Sequence, residues 1–164
     1  MPQEIERKFL VASDGWRRGA DQGRRFRQAY LAETRRAVVR VRVEDDVRGF
    51  LTIKSAESGL SRHEFEFPLT LADAETLIEF RQGGELRKTR FLAPHAGRRW
   101  EVDVYCGDNA GLVIAEIELA SEDETVDLPP WIGREVTGDA QYYAARLARH
   151  PYASWPENEQ RPSG

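Results

Sequence analysis

Cysteine and histidine are scarce in this chain of 164 residues. Cys106 is the only cysteine, so no disulfide can form within the chain, and the three histidines are too scattered to form a zinc-binding motif. The sequence also lacks a signal-like apolar N-terminus and any apolar run long enough to span a membrane. These absences argue against a disulfide-stapled scaffold and a zinc finger, and we expect a cytoplasmic protein.

A strong net charge is lacking as well. The formal net charge is −4, although 32% of the residues are charged and 40% are hydrophobic. This balance does not favour general binding to nucleic acids or membrane surfaces, but it is compatible with a locally basic pocket. The length predicts one globular domain over residues 1–150. The stretch from residue 151 to 164 is rich in Pro, Ser and charge, which predicts a flexible C-terminal tail.

Alternation of polar and apolar residues predicts that strands dominate the first 120 residues. Turn residues in EDDVRG and APHAGR predict two hairpins. Apolar residues at helical spacing, with Thr70 as a capping residue, predict a helix over residues 69–80, which Gly83 and Gly84 would end. A second helix is predicted over residues 139–149. The predicted strands are 2–11, 23–32, 36–44, 47–54, 60–69, 84–93, 98–106 and 111–121.

In seven of these strands, charged residues recur on one face. In the first strand, for example, Glu4, Glu6 and Lys8 alternate with Ile5, Arg7 and Phe9. A single strand of this kind is most simply explained by an antiparallel sheet with one face in water. Seven together favour another interpretation, since two helices are too few to cover the apolar face of a long flat sheet. The charged positions are Glu4, Glu6, Lys8, Arg40, Arg42, Lys54, Arg62, Glu64, Glu66, Lys88, Arg90, Glu101, Asp103, Glu116 and Glu118.

Closing the sheet resolves the geometry. We therefore predict an α+β fold: an eight-stranded antiparallel β-barrel, or tunnel, with a few helices packed outside. If the charged positions face inward, the carboxylates suit a hard divalent cation, and the Arg and Lys groups suit a phosphate-rich anion. Acidic and basic groups together predict a site for a metal-bound polyphosphate. Glu64 and Glu66 are expected to pair with basic groups of the lumen rather than with metal.

These residues resemble a known family. Glu4-Ile5-Glu6-Arg7-Lys8 is similar to the E-x-E-x-K motif of the CYTH superfamily, also called triphosphate tunnel metalloenzymes. The likeness covers roughly residues 1–148, and it implies an eight-stranded tunnel that binds triphosphate compounds together with Mg²⁺ or Mn²⁺. The further matching segments are Gln28–Leu31, Arg40–Arg42, Leu51–Lys54, Ser61–Glu66, Lys88–Arg90, Glu101–Asp103, Ala115–Leu119 and Gly133–Asp139.

The resemblance also implies residue roles. Glu4, Glu6 and Glu118 would hold the metal, with Glu116 and Asp103 as further metal ligands. Catalytic candidates are Lys8, Tyr30, Lys54 and Lys88. Phosphate oxygens would be bound by Lys8, Arg40, Arg42, Lys54, Lys88 and Arg90, with Arg134 near the tunnel mouth. The chain departs from the family at Gln141 and Ala144, where relatives often have Arg and Asn.

Among family activities, the sequence is most similar to compact bacterial inorganic triphosphatases, so the expected reaction is metal-dependent hydrolysis of triphosphate to pyrophosphate and phosphate. Two alternatives stay open. One is another reaction on the same site: cyclisation of ATP, or hydrolysis of thiamine triphosphate or a nucleotide. The other is a non-catalytic module that binds polyphosphate or nucleotides. The expected partner is a small triphosphate compound, and the chain is expected to be a monomer or a homodimer.

Overall fold

The computed structural model describes residues 3–56 and 61–160. The predicted strand positions 2 and 60 and the tail positions 161–164 lie outside this range. Two α-helices are described, α1 (Leu71–Ile78) and α2 (Ala144–Leu147), and neither has the length and apolar character of a membrane span. The described strands are β1 (Gln3–Val11), β2 (Arg24–Glu33), β3 (Ala37–Glu44), β4 (Arg48–Ser55), β5 (Ser61–Leu69), β6 (Gln82–His95), β7 (Arg98–Cys106), β8 (Val113–Glu118) and β9 (Ile132–Glu135).

Eight of these strands close into an antiparallel barrel, which confirms the predicted fold class. Their order is β5-β4-β3-β2-β6-β7-β8-β1, and the ring closes because Gln3 to Ile5 of β1 pair with His63 to Ser61 of β5. Closure removes the free edges that an open sheet would expose. The ninth strand, β9, was missed in the sequence; it pairs with β1 outside this ring.

The two predicted hairpin turns are present. The β3–β4 turn places Asp45 and Asp46 at φ 51° and 57°, a left-handed conformation that Asp tolerates better than most residues. The β6–β7 turn uses Ala96 and Gly97 at φ 50° and 77°. Both turns hold consecutive strands in antiparallel register, so the charged faces stay aligned from strand to strand.

Helix α1 shows why the apolar faces point outward. Its cap is the predicted one, since the Thr70 hydroxyl accepts a hydrogen bond of 3.1 Å from the Asp73 backbone N–H. Ala74 and Ile78 of α1 are buried in a cluster with the outward-facing Val41 of β3. The helix therefore covers apolar side chains on the outer wall and leaves the interior to the charged positions.

The C-terminal region differs from its predicted continuous helix. Residues 139–149 form a 3₁₀ turn over Ala140–Tyr142 and then α2, because the intervening Tyr143 has extended backbone angles (φ −68°, ψ 134°). Gly83 and Gly84 do not end an element but lie inside β6. The Gly84 backbone N–H donates to the carbonyl oxygen at the end of α2, at 2.8 Å. The glycines thus let β6 approach the C-terminal helix closely.

The expected loose tail is instead packed over residues 151–160. Tyr152 and Trp155 are buried, and the Tyr152 backbone N–H donates to Asn109 Oδ1 at 2.9 Å. The Trp155 ring packs against Tyr142 with ring centroids 5.3 Å apart. The prediction from composition overlooked Tyr152 and Trp155, because the residues around them are polar. Each of these aromatic side chains buries enough apolar surface to order a short segment.

Candidate active site

Barrel closure turns the charged face of the strands into the wall of an internal cavity of about 150 Å³. All eight strands of the ring contribute to it, and residues Tyr143 to Ala145 cover one side. The open-sheet alternative, in which the same side chains would face bulk water, does not hold. Ten of the predicted site residues line the cavity: Glu4, Glu6, Lys8, Tyr30, Arg40, Arg42, Lys54, Lys88, Arg90 and Glu116.

The deepest charge in the site is Asp103, whose residue is 1% exposed. One carboxylate oxygen accepts from Arg90 Nε at 2.7 Å, and the other accepts from Arg90 Nη2 at 2.9 Å and from Lys88 Nζ at 2.6 Å. Burial opposes ionisation of Asp103, but Arg90 and Lys88 more than offset this and lower its pKa. Burial also lowers the pKa of Lys88 to about 7, against the attraction of Asp103. The predicted metal ligand Asp103 is therefore engaged in anchoring two cavity cations.

Arg42 is held by a chain of two hydrogen bonds to uncharged side chains of the neighbouring strand β2. Its Nε donates to Gln28 Oε1 at 3.1 Å, and Gln28 Nε2 donates to the Tyr30 hydroxyl at 3.1 Å. Burial lowers the pKa of Arg42 to about 9, and the like charges of Arg40 and Arg90 act in the same direction. Crowded cations of this kind are relieved when an anion binds between them.

Two further observations point to an anion. Arg40 donates to the Thr52 hydroxyl at 3.1 Å, but its buried Nε has no hydrogen-bond partner among the described residues. The Phe26 ring, on β2 between β3 and β6, lies 4.4 Å from the guanidinium carbon of Arg42 and 5.3 Å from that of Arg90. These cation–π contacts stabilise the two guanidinium groups without occupying any of their N–H donors. The N–H groups that no protein atom accepts therefore stay available to a phosphate.

The acidic side of the cavity is formed by Glu4, Glu6 and Glu116. Burial raises the pKa of Glu6 well above its ordinary value, and the negative charges of Glu116 and Glu4 raise it further. The other two carboxylates have lysine partners: Glu4 lies 2.9 Å from Lys54 Nζ, and Glu116 lies 3.8 Å from Lys8 Nζ. Burial opposes ionisation of both, but Lys54 lowers the pKa of Glu4, and Lys8, followed by Arg90, lowers that of Glu116 to about 2.

The chemistry of these donors fits a divalent cation. Three carboxylates are hard oxygen ligands, and the pKa of Glu6 is raised first by burial and then by the like charges of Glu116 and Glu4, which a cation would compensate. In the present side-chain positions, however, no three acidic, His or Cys side chains of residues 3–56 and 61–160 are assembled into a metal-binding group. An ion would have to compete with Lys54 and Lys8 for their carboxylates.

Three predicted site residues do not line the cavity: Asp103, which is buried behind Lys88 and Arg90, and the exposed Glu118 and Arg134. Glu118 pairs with Glu6 across the β1–β8 ladder, but its side chain is exposed and does not line the cavity. Arg134, on β9, is also exposed, and its guanidinium donates to the Tyr142 hydroxyl at 3.2 Å. The predicted metal role of Glu118 and the phosphate role of Arg134 stay predictions that this arrangement does not support.

Of the two C-terminal positions that depart from the family resemblance, Ala144 lies at the cavity and Gln141 does not. Ala144 lines the cavity with a methyl group. Gln141 does not line it, and its amide donates to Glu159 at 3.2 Å. Glu64 and Glu66 were expected to pair with basic groups of the lumen, and the structure places Glu64 3.9 Å from Lys54 Nζ and Glu66 3.9 Å from Arg40 Nη2.

Several cavity residues had no catalytic, metal-binding or phosphate-binding role assigned from the sequence. Arg62, Glu64 and Glu101 were visible in the alternating pattern, since each shares its strand face with another charged position. Tyr143 could not be found in that way, because the chain carries it to the cavity through a turn rather than a strand. The residues in question are Gln28, Glu33, Val38, Arg62, Glu64, Glu101, Tyr105, Tyr143 and Ala145.

Together, the closed antiparallel barrel and its cavity of opposed cations and carboxylates define a tunnel whose lining suits a phosphate-rich anion. The family model of the CYTH domain matches residues 2–152, and the chain therefore belongs to the CYTH family.

Similar proteins agree with this assignment. The chain is 40% identical to an inorganic triphosphatase of Acetivibrio thermocellus, over 96% of this chain and 100% of that protein. It is 37% identical to an inorganic triphosphatase of Nitrosomonas europaea, over 88% of this chain and 96% of that protein. A solved inorganic triphosphatase structure superposes with a TM-score of 0.65 at 34% identity, covering 93% of this chain and 99% of the other. A Pyrococcus horikoshii protein (19% identical, TM-score 0.59, 73% and 80% covered) shares the fold.

Proposed function

We propose that this protein is a divalent-metal-dependent triphosphatase that hydrolyses inorganic triphosphate to pyrophosphate and phosphate. The observation that carries the proposal is the cavity itself, where cations from β3, β4 and β6 face carboxylates from β1 and β8 in an enclosed space. The names of the two relatives that match nearly the whole chain support the same reaction.

In the proposed mechanism, the protein works by positioning and by electrostatic stabilisation, which account for most catalysis of phosphoryl transfer. Arg40, Arg42 and Arg90 bind the phosphate oxygens, and their guanidinium groups suit them to planar, bidentate contacts. Lys88, held by Asp103, and Lys8 add charge where negative charge develops in the transition state. Because the groups are held before substrate binds, little reorganisation is needed during the reaction.

The metal would be held by Glu4, Glu6 and Glu116, the three carboxylates that face the cavity from β1 and β8. Mg²⁺ or Mn²⁺ bound there would supply charge neutralisation at the phosphate oxygens and would make a water molecule more acidic. Lys54 and Lys8, released from their carboxylates on metal binding, would then be available to the substrate. The cytoplasmic location and the oligomeric state remain predictions from the sequence.

The test of the reaction is a phosphate-release panel with triphosphate, thiamine triphosphate, ATP and longer polyphosphate, each with Mg²⁺, with Mn²⁺ and with EDTA. We expect triphosphate to be hydrolysed fastest and only with metal. Faster turnover of thiamine triphosphate, or formation of cyclic AMP, would replace the proposed substrate. Tight binding of triphosphate without turnover under every metal would make the protein a binding module.

Glu6→Gln tests the acidic side of the site. It removes a negative charge but keeps the shape, so we expect at least a 100-fold loss of triphosphate hydrolysis while the fold survives. Glu122→Gln is the matched control, since Glu122 is exposed and lies outside the cavity. Full activity of Glu6→Gln would rule out this assignment of the metal ligands.

A further inference from the structure

A second cavity lies outside the tunnel, between the end of β1, the start of β8 and the C-terminal segment. Its volume is about 290 Å³, and it shares no lining residue with the tunnel cavity. Leu10, Tyr142 and Tyr152 line the second cavity. They belong to a buried apolar cluster with Tyr30 and Tyr105, which line the tunnel cavity. This cluster separates the two cavities, so a ligand of the second cavity would be distinct from the triphosphate.

The walls of the second cavity are mostly apolar and aromatic. Val11 and Leu112 contribute aliphatic side chains, and Tyr142 and Tyr152 contribute rings. The Tyr152 ring is fixed in place, since its hydroxyl donates to the carbonyl oxygen of Gln160. Sites for small molecules typically combine such apolar walls with a few placed polar groups. The size of this cavity suits a compound with one small ring.

Trp16 provides one of the polar groups. It lines the cavity and is 2% exposed, and its indole Nε1–H has no acceptor within residues 3–56 and 61–160. The ring itself is held by Phe91, with ring centroids 5.1 Å apart, and by Arg17, whose guanidinium carbon lies 4.3 Å from the ring centroid. Burying a donor without a partner is unfavourable. A ligand oxygen that accepted from this N–H would therefore be bound favourably.

The charged residues of the lining are both acidic. Asp14 and Glu159 line the cavity, and no Lys or Arg of the described residues does. Glu159 accepts a hydrogen bond from the Gln141 amide at 3.2 Å, and Asp14 lies 3.7 Å from Arg17, so each carboxylate has oxygen lone pairs left for a ligand. Complementarity of charge favours a cationic ligand here and disfavours an anionic one.

We infer that the second cavity is a binding site for a small aromatic amine whose ring carries an oxygen. The ring would pack between the two tyrosines, the oxygen would accept from Trp16 Nε1–H, and the ammonium group would lie near Asp14 and Glu159. This site does not depend on the proposed function, because it lies outside the tunnel and is tested by binding alone.

The test is calorimetric titration of the full chain in EDTA with three related probes. Tyramine carries both the ring oxygen and the ammonium group, and we expect its Kd to lie below about 1 mM. Phenethylamine lacks the oxygen and should bind about 3- to 10-fold more weakly, the range expected for one hydrogen bond. 4-Hydroxyphenylacetate keeps the phenol but is an anion, and it should also bind at least about 3-fold more weakly. Added triphosphate should leave tyramine binding unchanged.

Variants locate the probe in the cavity. Trp16→Phe removes the N–H but keeps a ring, so it should bind tyramine and phenethylamine equally well; this preference is unaffected by a general change in packing. Ala12→Phe places a ring in the cavity from an exposed lining position and should abolish binding, whereas Ala72→Phe, at an exposed position of α1, should not. Glu159→Gln should weaken tyramine binding about 2- to 5-fold, and Glu157→Gln, on the same turn but outside the lining, should have no effect.

Four outcomes would overturn the inference. Absence of tyramine binding by the wild type up to about 10 mM would refute the site. Displacement of tyramine by triphosphate would place the probe in the tunnel, and full binding by Ala12→Phe would place it elsewhere on the surface. A preference for tyramine over phenethylamine that persists in Trp16→Phe would refute the role of the indole N–H.

Discussion

Replacing Asp103 tests whether this carboxylate anchors the cavity cations. Asp103→Asn keeps the shape of the side chain but removes the only charge that Lys88 and Arg90 share at 2.6–2.9 Å. Removing one partner from a buried ion pair typically costs about 3–5 kcal/mol; here Lys88 loses its one carboxylate within 4.0 Å among the described residues, whereas Arg90 keeps Glu101 at 2.6 Å. For a chain of this length, we expect the melting temperature to fall by roughly 6–20 °C.

The measurement is thermal and urea unfolding at pH 7 in EDTA, with Asp123→Asn at an exposed position as the control. Because the pKa of Asp103 lies below its ordinary value, its contribution is complete at pH 7 and is lost only on strong acidification. Added triphosphate should stabilise Asp103→Asn more than the wild type, since the anion compensates the two cations. If Asp103 served only as a metal ligand, the variant would instead unfold like the wild type in EDTA, within about 1 kcal/mol, and would need more metal for activity. That result would refute the anchoring role.

Three further predictions concern the stability of the elements that surround the site. Gly83→Ala should lower the melting temperature more than Gly97→Ala: both glycines are left-handed (φ 73° and 77°), but only at Gly83 would the new methyl carbon lie 2.7 Å from a carbonyl oxygen of the C-terminal helix. Trp155→Ala should cost about 3–5 kcal/mol in urea unfolding, whereas a loose C-terminal segment would leave stability unchanged. Glu135→Gln should cost less than about 1 kcal/mol at pH 7; because the Arg7 hydrogen bond lowers the pKa of Glu135, the difference from the wild type should disappear as the pH falls below the ordinary carboxyl value of 4.5. A difference that persists at low pH would contradict this.

Much of the fold could be predicted because its determinants are local. Alternation along each strand fixes which side chains share a face, as in Glu4, Glu6 and Lys8, whatever the neighbouring strand is. Turn residues such as Asp45 and the Thr70 cap act on the backbone within a few positions. The short strand β9 has only four residues and carries little alternation, so it was missed.

The sequence by itself determined eight of the nine described strands, the two hairpin turns, the charged face that seven strands share and the family resemblance. Only the tertiary structure decided how the charges are used: it buries Asp103 behind Lys88 and Arg90, leaves Glu118 exposed, and brings Arg62 to the ring of Tyr143. The reason is that alternation gives the face of a residue but not its height along the tunnel or its neighbours across it. Those depend on strand register and barrel closure, which pair residues far apart in the chain.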